Sequence, residues 1–205
     1  KNLKILFGKC NLIIQRIIDS NFLFNINIYN LNSSINFFCI EMGKEKSSLT
    51  LFYNGSLCFL ENFNFGTNII KKDVSKLCSL ETDIIDKIIS EINFEKEFSE
   101  ELIDKKYFNG KPYRKISISY IKEIMLARLN ELLDIIFVNN INIKYLKTNI
   151  ENCFIFIEDQ NIRINLGQNL FDYLIEKERM KKFLIKEKTQ NDIYLRCKLA
   201  AKLIN

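Results

Sequence analysis

A near-continuous run of apolar residues, Ile35 to Met42, opens the most regularly patterned part of the chain. Such a run is typical of a strand that is buried on both faces. Two further apolar segments follow, Leu49 to Tyr53 and Leu57 to Asn62, with Asn54-Gly55 between them. Because Asn-Gly favours the tight turn of a two-residue hairpin, the pattern predicts an antiparallel hairpin at this point.

Helical spacing of apolar residues occurs in three segments after the hairpin. Ser117 to Val138 has the clearest pattern, because its apolar positions recur at steps of three and four on one face. Asn68 to Leu77 and Thr82 to Ser90 are also predicted to be helices, and Ser79 is predicted as the N-cap of the second. Residues 91–115 are charged and poorly periodic, which predicts a loop or a short ribbon.

The two ends of the chain have less regular patterns. Cys153 to Ile157 predicts another buried strand, and Ile162 to Ile175 and Asp192 to Ile204 predict closing helices. Leu12 to Ile18 is predicted to be a strand, although its isoleucines would also suit a helix. Asn21 to Leu31 alternates apolar and polar residues, so periodicity alone predicts a strand there as well. Strands and helices in this order predict an α/β protein.

Composition and charge exclude some partners without pointing to others. The 205 residues include 30 Lys and Arg against 25 Asp and Glu, which leaves a net charge of only +5. The lysines alternate with acids, as on ordinary solvated helix faces, and no cluster of basic and aromatic residues forms a groove for nucleic acid. We therefore expect no nucleic-acid partner.

The six cysteines stand singly, with no C-x-x-C pair and no histidine in the chain. This pattern excludes a mixed Cys/His zinc site and a Cys–His catalytic pair, and most of the thiols are expected to be buried and reduced. No apolar run approaches the roughly 20 residues of a membrane span, and no signal peptide is recognisable. These features indicate a cytoplasmic protein.

Four segments, in order, resemble the second half of actin-like ATPases and specifically the FtsA family of bacterial cell-division proteins. Glu41 to Ser48 resembles the family pattern D-I-G-x-G-T-T-D, and Gly66 to Asp73 resembles G-G-N-x-I-T-x-D-I-A. Leu77 to Ile88 resembles L-S-x-x-x-x-x-A-E-x-I-K. Ile118 to Leu133 resembles the helix I-x-x-x-L-x-E-I-I-x-A-R-x-E-E-I-L and is the most specific match.

The resemblance implies an actin-like (ribonuclease H-like) sheet lobe, formed by residues 1–66 and 141–205, with an inserted helical α+β lobe at residues 67–140. It also implies a helix, rather than a strand, at Asn21 to Leu31. FtsA-like proteins bind the C-terminal tail of FtsZ through the helical lobe, recruit FtsZ to the membrane, assemble the divisome with other proteins and form filaments. The expected location is therefore the cytoplasmic face of the cell membrane at the division site, reached through a tether not recognisable in this chain.

The resemblance assigns the phosphate side of an ATP site to five small or polar residues: Gly43, Ser47, Ser48, Gly66 and Asn68. Small residues matter there because backbone N–H groups must approach phosphate oxygens closely. ATP with Mg is the cofactor implied for the full-length protein. The adenosine turn of the family corresponds to Ile157 to Gln160, and Asp86 takes the place of a family glutamate.

Several departures from the family pattern predict a degenerate nucleotide site. Lys44 and Glu45 stand where the family has small residues, and the Glu45 carboxylate would repel phosphate. The second glycine of the Gly66 segment is absent, the turn at 157–160 has no glycine, and Ile89 replaces a lysine. We expect no hydrolysis by this chain, and the five residues would serve equally as ordinary turn residues.

Two other classes of function remain open. Another actin-like ATPase, of the pilus-assembly or chaperone type, would use ATP to close its lobes and would need intact glycine turns. An enzyme of the sugar-kinase branch would need a catalytic acid and a substrate cleft, for which no residues are found here. Arg128 would contact a partner or form an exposed pair with Glu131, three residues on.

Overall fold

The computed structural model describes residues 2–14, 16–32, 36–94, 101–108, 112–147, 150, 152–178, 182–186 and 197–202. Five strands of this part form one sheet: β1 (Phe37–Met42), β2 (Ser47–Tyr53), β3 (Ser56–Phe63), β4 (Asn152–Ile157) and β5 (Lys182–Lys186). The helices are α1 (Asn2–Gly8), α2 (Ser20–Asn32), α3 (Asn68–Cys78), α4 (Thr82–Glu91), α5 (Ile118–Leu133), α6 (Gln160–Lys177) and α7 (197–202). A 3₁₀ turn lies at Lys105–Phe108, and a π-helical turn, Asp134–Val138, extends α5.

The sheet has the strand order β3-β2-β1-β4-β5. β1 pairs antiparallel with β2 and β2 with β3, whereas β4 is parallel to both β1 and β5. The predicted hairpin is confirmed, because Asn54 and Gly55 connect β2 to β3 with φ angles of 47° and 75°. Both angles are left-handed, as a tight hairpin turn with the twist of its strands requires.

The central strand β1 packs against helices on both faces of the sheet. All six of its residues are buried, as the continuous apolar run predicts. Phe38 and Ile40 belong to the larger apolar cluster, to which helices α3 to α6 contribute. Phe37 and Cys39 point the other way, into a smaller cluster under α2.

The strand that periodicity predicts at Asn21 to Leu31 is wrong, because these residues lie in helix α2. Asp19 begins the helix, because its carboxylate accepts the N–H of Asn21 at 2.8 Å and of Phe22 at 3.2 Å. Phe24 packs edge-on against Phe156 of the sheet, with ring centres 4.6 Å apart. The helix expected from the family resemblance is therefore confirmed.

Two other local predictions are wrong. Leu12 to Ile18 forms no strand in residues 12–14 and 16–18, and Ile13 is 91% exposed, so this segment has no sheet to join. Ser79 does not cap α4. Its φ of 48° is left-handed and its N–H donates to Lys76 O, so it ends α3 in the position that usually terminates a helix. Glu81 is the N-cap of α4.

The remaining helices and strands agree with the sequence, with small shifts at their ends. Ser117 caps α5 by accepting the N–H of Tyr120. The predicted last helix, Asp192 to Ile204, is helical in the described residues 197–202, and its other residues lie outside the described part. Strand β5 was not predicted from the sequence. The division into 1–66 plus 141–205 and 67–140 stays a prediction, and the larger apolar cluster contains residues from both parts.

Candidate functional site

The turn between β1 and β2 is bonded to the start of α3. Within the turn, the N–H of Gly43 donates to Lys46 O at 2.9 Å. From the other side, the N–H of Thr67 donates to Gly43 O at 3.0 Å and that of Asn68 to Lys44 O at 2.9 Å. Two of the N–H groups at the start of α3, which a helix cannot satisfy by itself, thus find acceptors in the turn.

The glycines of the predicted site allow these two backbone segments to approach each other. A Cβ on Gly66 would lie 2.2 Å from Gly43 O and 2.7 Å from the carbonyl carbon of Lys44. A Cβ on Gly43 would lie 2.8 Å from Lys46 O and 3.1 Å from Glu158 Oε2. Both positions therefore need glycine for packing inside the protein.

A cavity of about 460 Å³ opens beside the turn. Its lining residues are Glu41, Gly43, Lys44, Glu45, Lys46, Ser47, Ser48, Asn62 and Glu158. Three of the residues assigned to ATP phosphates, Gly43, Ser47 and Ser48, thus come together at one cavity. Gly66 and Asn68 do not line it. Asn68 donates its N–H to Lys44 O, and Gly66 lies against the backbone of the turn. The role of the five residues in binding ATP stays a prediction.

The donors around the turn do not suit a triphosphate in this arrangement. The N–H of Lys44 faces Glu158 Oε2 at 3.3 Å, and those of Gly43, Thr67 and Asn68 already have backbone acceptors. The Ser47 hydroxyl donates to Phe65 O at 2.8 Å, and the Asn68 amide donates to Glu45 Oε1 at 2.6 Å.

The charges around the cavity are also unfavourable for a triphosphate. Three carboxylates, of Glu41, Glu45 and Glu158, line it against two lysine ammonium groups. A phosphate would therefore meet more negative than positive side chains. Among the described residues, no group of three or more acidic, cysteine or histidine side chains could hold a metal ion.

A second group of charged side chains includes Asp159, the residue that follows Glu158. The ammonium of Lys71 on α3 is 2.6 Å from Asp86 Oδ1 on α4 and 2.7 Å from Asp159 Oδ2 at the start of α6. The Lys71 and Asp159 side chains are only 14% and 6% exposed, and that of Asp86 is 53% exposed. Burial lowers the pKa of Lys71, but hydrogen bonds to Asp159 and Asp86 outweigh it, so this pKa lies above its usual value.

Asp159 has two separate tasks. Its Oδ1 accepts the N–H groups of Asn161 and Ile162, both at 3.1 Å, and so caps α6, while its Oδ2 faces Lys71. Neither Lys71 nor Glu158 was among the predicted site residues. The available signal was the pair Glu158-Asp159 directly between a buried strand and a helix, which is a typical N-cap position.

The cap and the ion pair of Asp159 can be separated by mutation. Asp159→Ser keeps a side-chain oxygen for the cap but removes the charge, whereas Asp159→Ala removes both. We expect both variants to be less stable than the wild type. The free energy of unfolding of the serine variant should exceed that of the alanine variant by about 1 kcal/mol. Urea denaturation followed by circular dichroism measures the difference. Equal stabilities would mean that the cap contributes nothing.

Other predicted features were also located. None of the six cysteines forms a disulfide, but only Cys39, Cys78 and Cys153 are buried, so the expectation of mostly buried thiols is wrong for the three exposed ones. Burial raises the pKa of the Cys153 thiol. Arg128 pairs with Glu131 at 2.8 Å, which is one of the two expected alternatives, and also with Asp73 on α3. In the described residues, no helix combines the length and apolar character needed to cross a bilayer.

No family model matches the chain. No curated protein is detectably similar to it in sequence. Solved structures are similar in fold. MreB5 of Spiroplasma citri bound to ADP matches 99% of the chain with a TM-score of 0.61 at 14% identity. Ta0583, an archaeal actin homolog, matches 93% with a TM-score of 0.54 at 8% identity. PilM of the PilM–PilN type IV pilus biogenesis complex matches 87% with a TM-score of 0.52 at 10% identity.

These similarities show an actin-like α/β fold and confirm the predicted fold class. The chain spans 64% of the MreB5 chain, 56% of Ta0583 and 44% of the pilus protein, so it corresponds to part of each. MreB5 has been solved with ADP and with AMPPNP, which establishes nucleotide binding for that protein. At these identities, likeness of fold does not determine function.

Proposed function

We propose that this chain is part of an FtsA-like cell-division adaptor that binds the C-terminal tail of FtsZ. In this role it would recruit FtsZ to the inner face of the cell membrane at the division site and assemble with itself and other divisome proteins. Its nucleotide site would be degenerate, and this chain would not hydrolyse ATP. The observation that carries the proposal is a groove between α3 and α5.

The order of the segments supports this proposal over other actin-like functions. The four stretches that resemble FtsA form, in turn, the β1–β2 turn with its hairpin, α3, the α3–α4 pair and α5. The most specific match, α5, supplies six of the eight residues that line the groove. A chaperone- or pilus-type ATPase with ATP-driven closure would need free phosphate donors at the turn, and the N–H groups of Gly43, Lys44 and Asn68 face protein acceptors.

The groove combines apolar contact area with charge. It has a volume of about 390 Å³ and is lined by Asp73, Leu77, Tyr120, Glu123, Ile124, Ala127, Arg128 and Glu131. Leu77 is 60% exposed and Tyr120 is 44% exposed, so both offer apolar surface to a ligand. Exposed neighbouring aromatic and aliphatic side chains at a groove are typical anchor points for peptides.

The charges in the groove suggest what the bound tail would carry. Three acids, Asp73, Glu123 and Glu131, line it with one base, Arg128. Arg128 is held between Asp73 and Glu131, so it shapes the groove and is not fully available to a ligand. A tail with apolar side chains beside a basic residue would match this surface, because opposite charges steer and orient the encounter.

Calorimetric titration with the C-terminal tail peptide of FtsZ from the same organism tests the proposal. We expect binding at micromolar or tighter affinity and none with a scrambled peptide. Tyr120→Ala should weaken binding about tenfold or more, since aromatic anchors dominate such interfaces. Tyr145→Ala is the matched control, because Tyr145 is 85% exposed and lies outside the groove.

Two results would contradict the proposal. The first is no detectable heat from a chain whose circular dichroism shows it to be folded. The second is equal affinity in the wild type and in Tyr120→Ala, which would place the tail on another surface. Thermal unfolding of both tyrosine variants checks that any loss of affinity is not a loss of folding.

A further inference from the structure

The turn between β4 and α6 contacts the rest of the protein through two successive acids that point in different directions. Glu158 extends toward the β1–β2 turn and accepts the N–H of Lys44 at 3.3 Å. Asp159 extends toward α3 and meets Lys71 at 2.7 Å. The same ammonium reaches Asp86 on α4 at 2.6 Å. One short turn therefore contacts the β1–β2 turn and α3 directly, and it is linked to α4 through the Lys71 ammonium.

These contacts are made by segments that the family resemblance assigns to a nucleotide. Residues 157–160 correspond to the adenosine turn, residues 43–48 to a phosphate turn, and Asp86 to a polar residue on the neighbouring helix. The protein itself supplies a carboxylate at the Lys44 N–H and a cation between Asp86 and Asp159. The groups that a nucleotide would link are already linked by side chains.

We infer that the Lys71–Asp86–Asp159 bridge, and not a nucleotide, holds α3, α4 and the start of α6 in one arrangement. This inference goes beyond the proposed partner and does not depend on it. It follows from burial, because Lys71 and Asp159 are largely withdrawn from water and removing Lys71 leaves the buried Asp159 carboxylate without its cation. An exposed pair would contribute much less.

Hydrogen exchange of backbone amides, read by mass spectrometry on the 205-residue chain, tests this inference. Lys71→Met should speed exchange in α4 and in the first turn of α6 by about tenfold or more, since these segments lose their common partner. Lys72→Met is the matched control, because Lys72 is the next residue on α3 and is exposed. The amides of the Lys72→Met variant should exchange at the wild-type rates.

Two further arms decide the remaining outcomes. Asp86→Asn removes the half-exposed partner and should loosen α4 while leaving the start of α6 unchanged, which keeps the test decisive if Lys71→Met unfolds the chain. Adding ATP with Mg²⁺ to the wild type should leave exchange at 43–46 and 157–162 unchanged. The inference is overturned if ATP protects either turn, or if Lys71→Met, or Asp86→Asn where that variant decides, exchanges like the wild type. Neither result bears on tail binding in the α3–α5 groove.

Discussion

Gly66→Ala should destabilise the chain by about 3 kcal/mol, because the new methyl group would collide with backbone rather than with a movable side chain. A Cβ at this position lies 2.2 Å from Gly43 O and 2.7 Å from both the carbonyl carbon and the oxygen of Lys44. The β1–β2 turn and the start of α3 would have to separate. The N–H groups of Thr67 and Asn68 would then lose their acceptors.

Urea denaturation followed by circular dichroism measures this effect, and the chain contains a matched control. Gly8 ends α1, and a Cβ there would meet nothing within 4 Å. Gly8→Ala should therefore leave the midpoint unchanged or raise the stability by up to about 1 kcal/mol through helix propensity. If Gly66→Ala unfolded at the wild-type urea concentration, the close approach of turn and helix would be refuted.

Phe38→Ala should cost about 3–5 kcal/mol, the range found for removing a buried aromatic side chain. Phe38 is completely buried on the central strand β1 and belongs to the larger apolar cluster. Its ring meets Phe137 edge-on, with centres 5.3 Å apart, and so joins the sheet to the π-helical turn after α5. Alanine would leave a cavity at the contact between sheet and helices.

Leu60→Ala is the control for this second substitution. Leu60 lies on the edge strand β3 and is 37% exposed, so its truncation should cost less than about 1 kcal/mol. Chemical denaturation of both variants gives the comparison. Similar losses of stability in the two variants would mean that the buried Phe38 side chain contributes no more to stability than the partly exposed Leu60 side chain.

Much of the fold could be predicted because its signals are local. The Asn54-Gly55 turn adopts the backbone angles that this dipeptide favours, and β1 is buried on both faces as an uninterrupted apolar run should be. Helix α5 has its apolar residues on one face and begins at Ser117, whose hydroxyl accepts the N–H of Tyr120. In each case the preference for the observed local conformation comes from residues that are neighbours in the sequence.

The site was predicted less completely, because its geometry depends on residues far apart in the chain. The family resemblance predicted that Gly43, Ser47 and Ser48 belong to one site, and they do line one cavity. It did not identify Glu158, which is more than a hundred residues away in sequence, as the group that faces the Lys44 N–H. A sequence pattern also cannot show which donors are already occupied. That question requires the positions of the acceptors, and these follow from packing.

By itself, the sequence determined the hairpin, the buried strands β1 and β4 and most of the helices, since propensity and periodicity act over a few residues. The tertiary structure decided three things that those signals could not. Asn21 to Leu31 became a helix because Phe24 and Ile28, one turn apart, cover an apolar sheet face. Ser79 ends α3 instead of starting α4, and Lys71 pairs both with Asp86 of α4 and with Asp159, the N-cap of α6. These outcomes depend on which distant groups share the same space, and only the folded chain sets that.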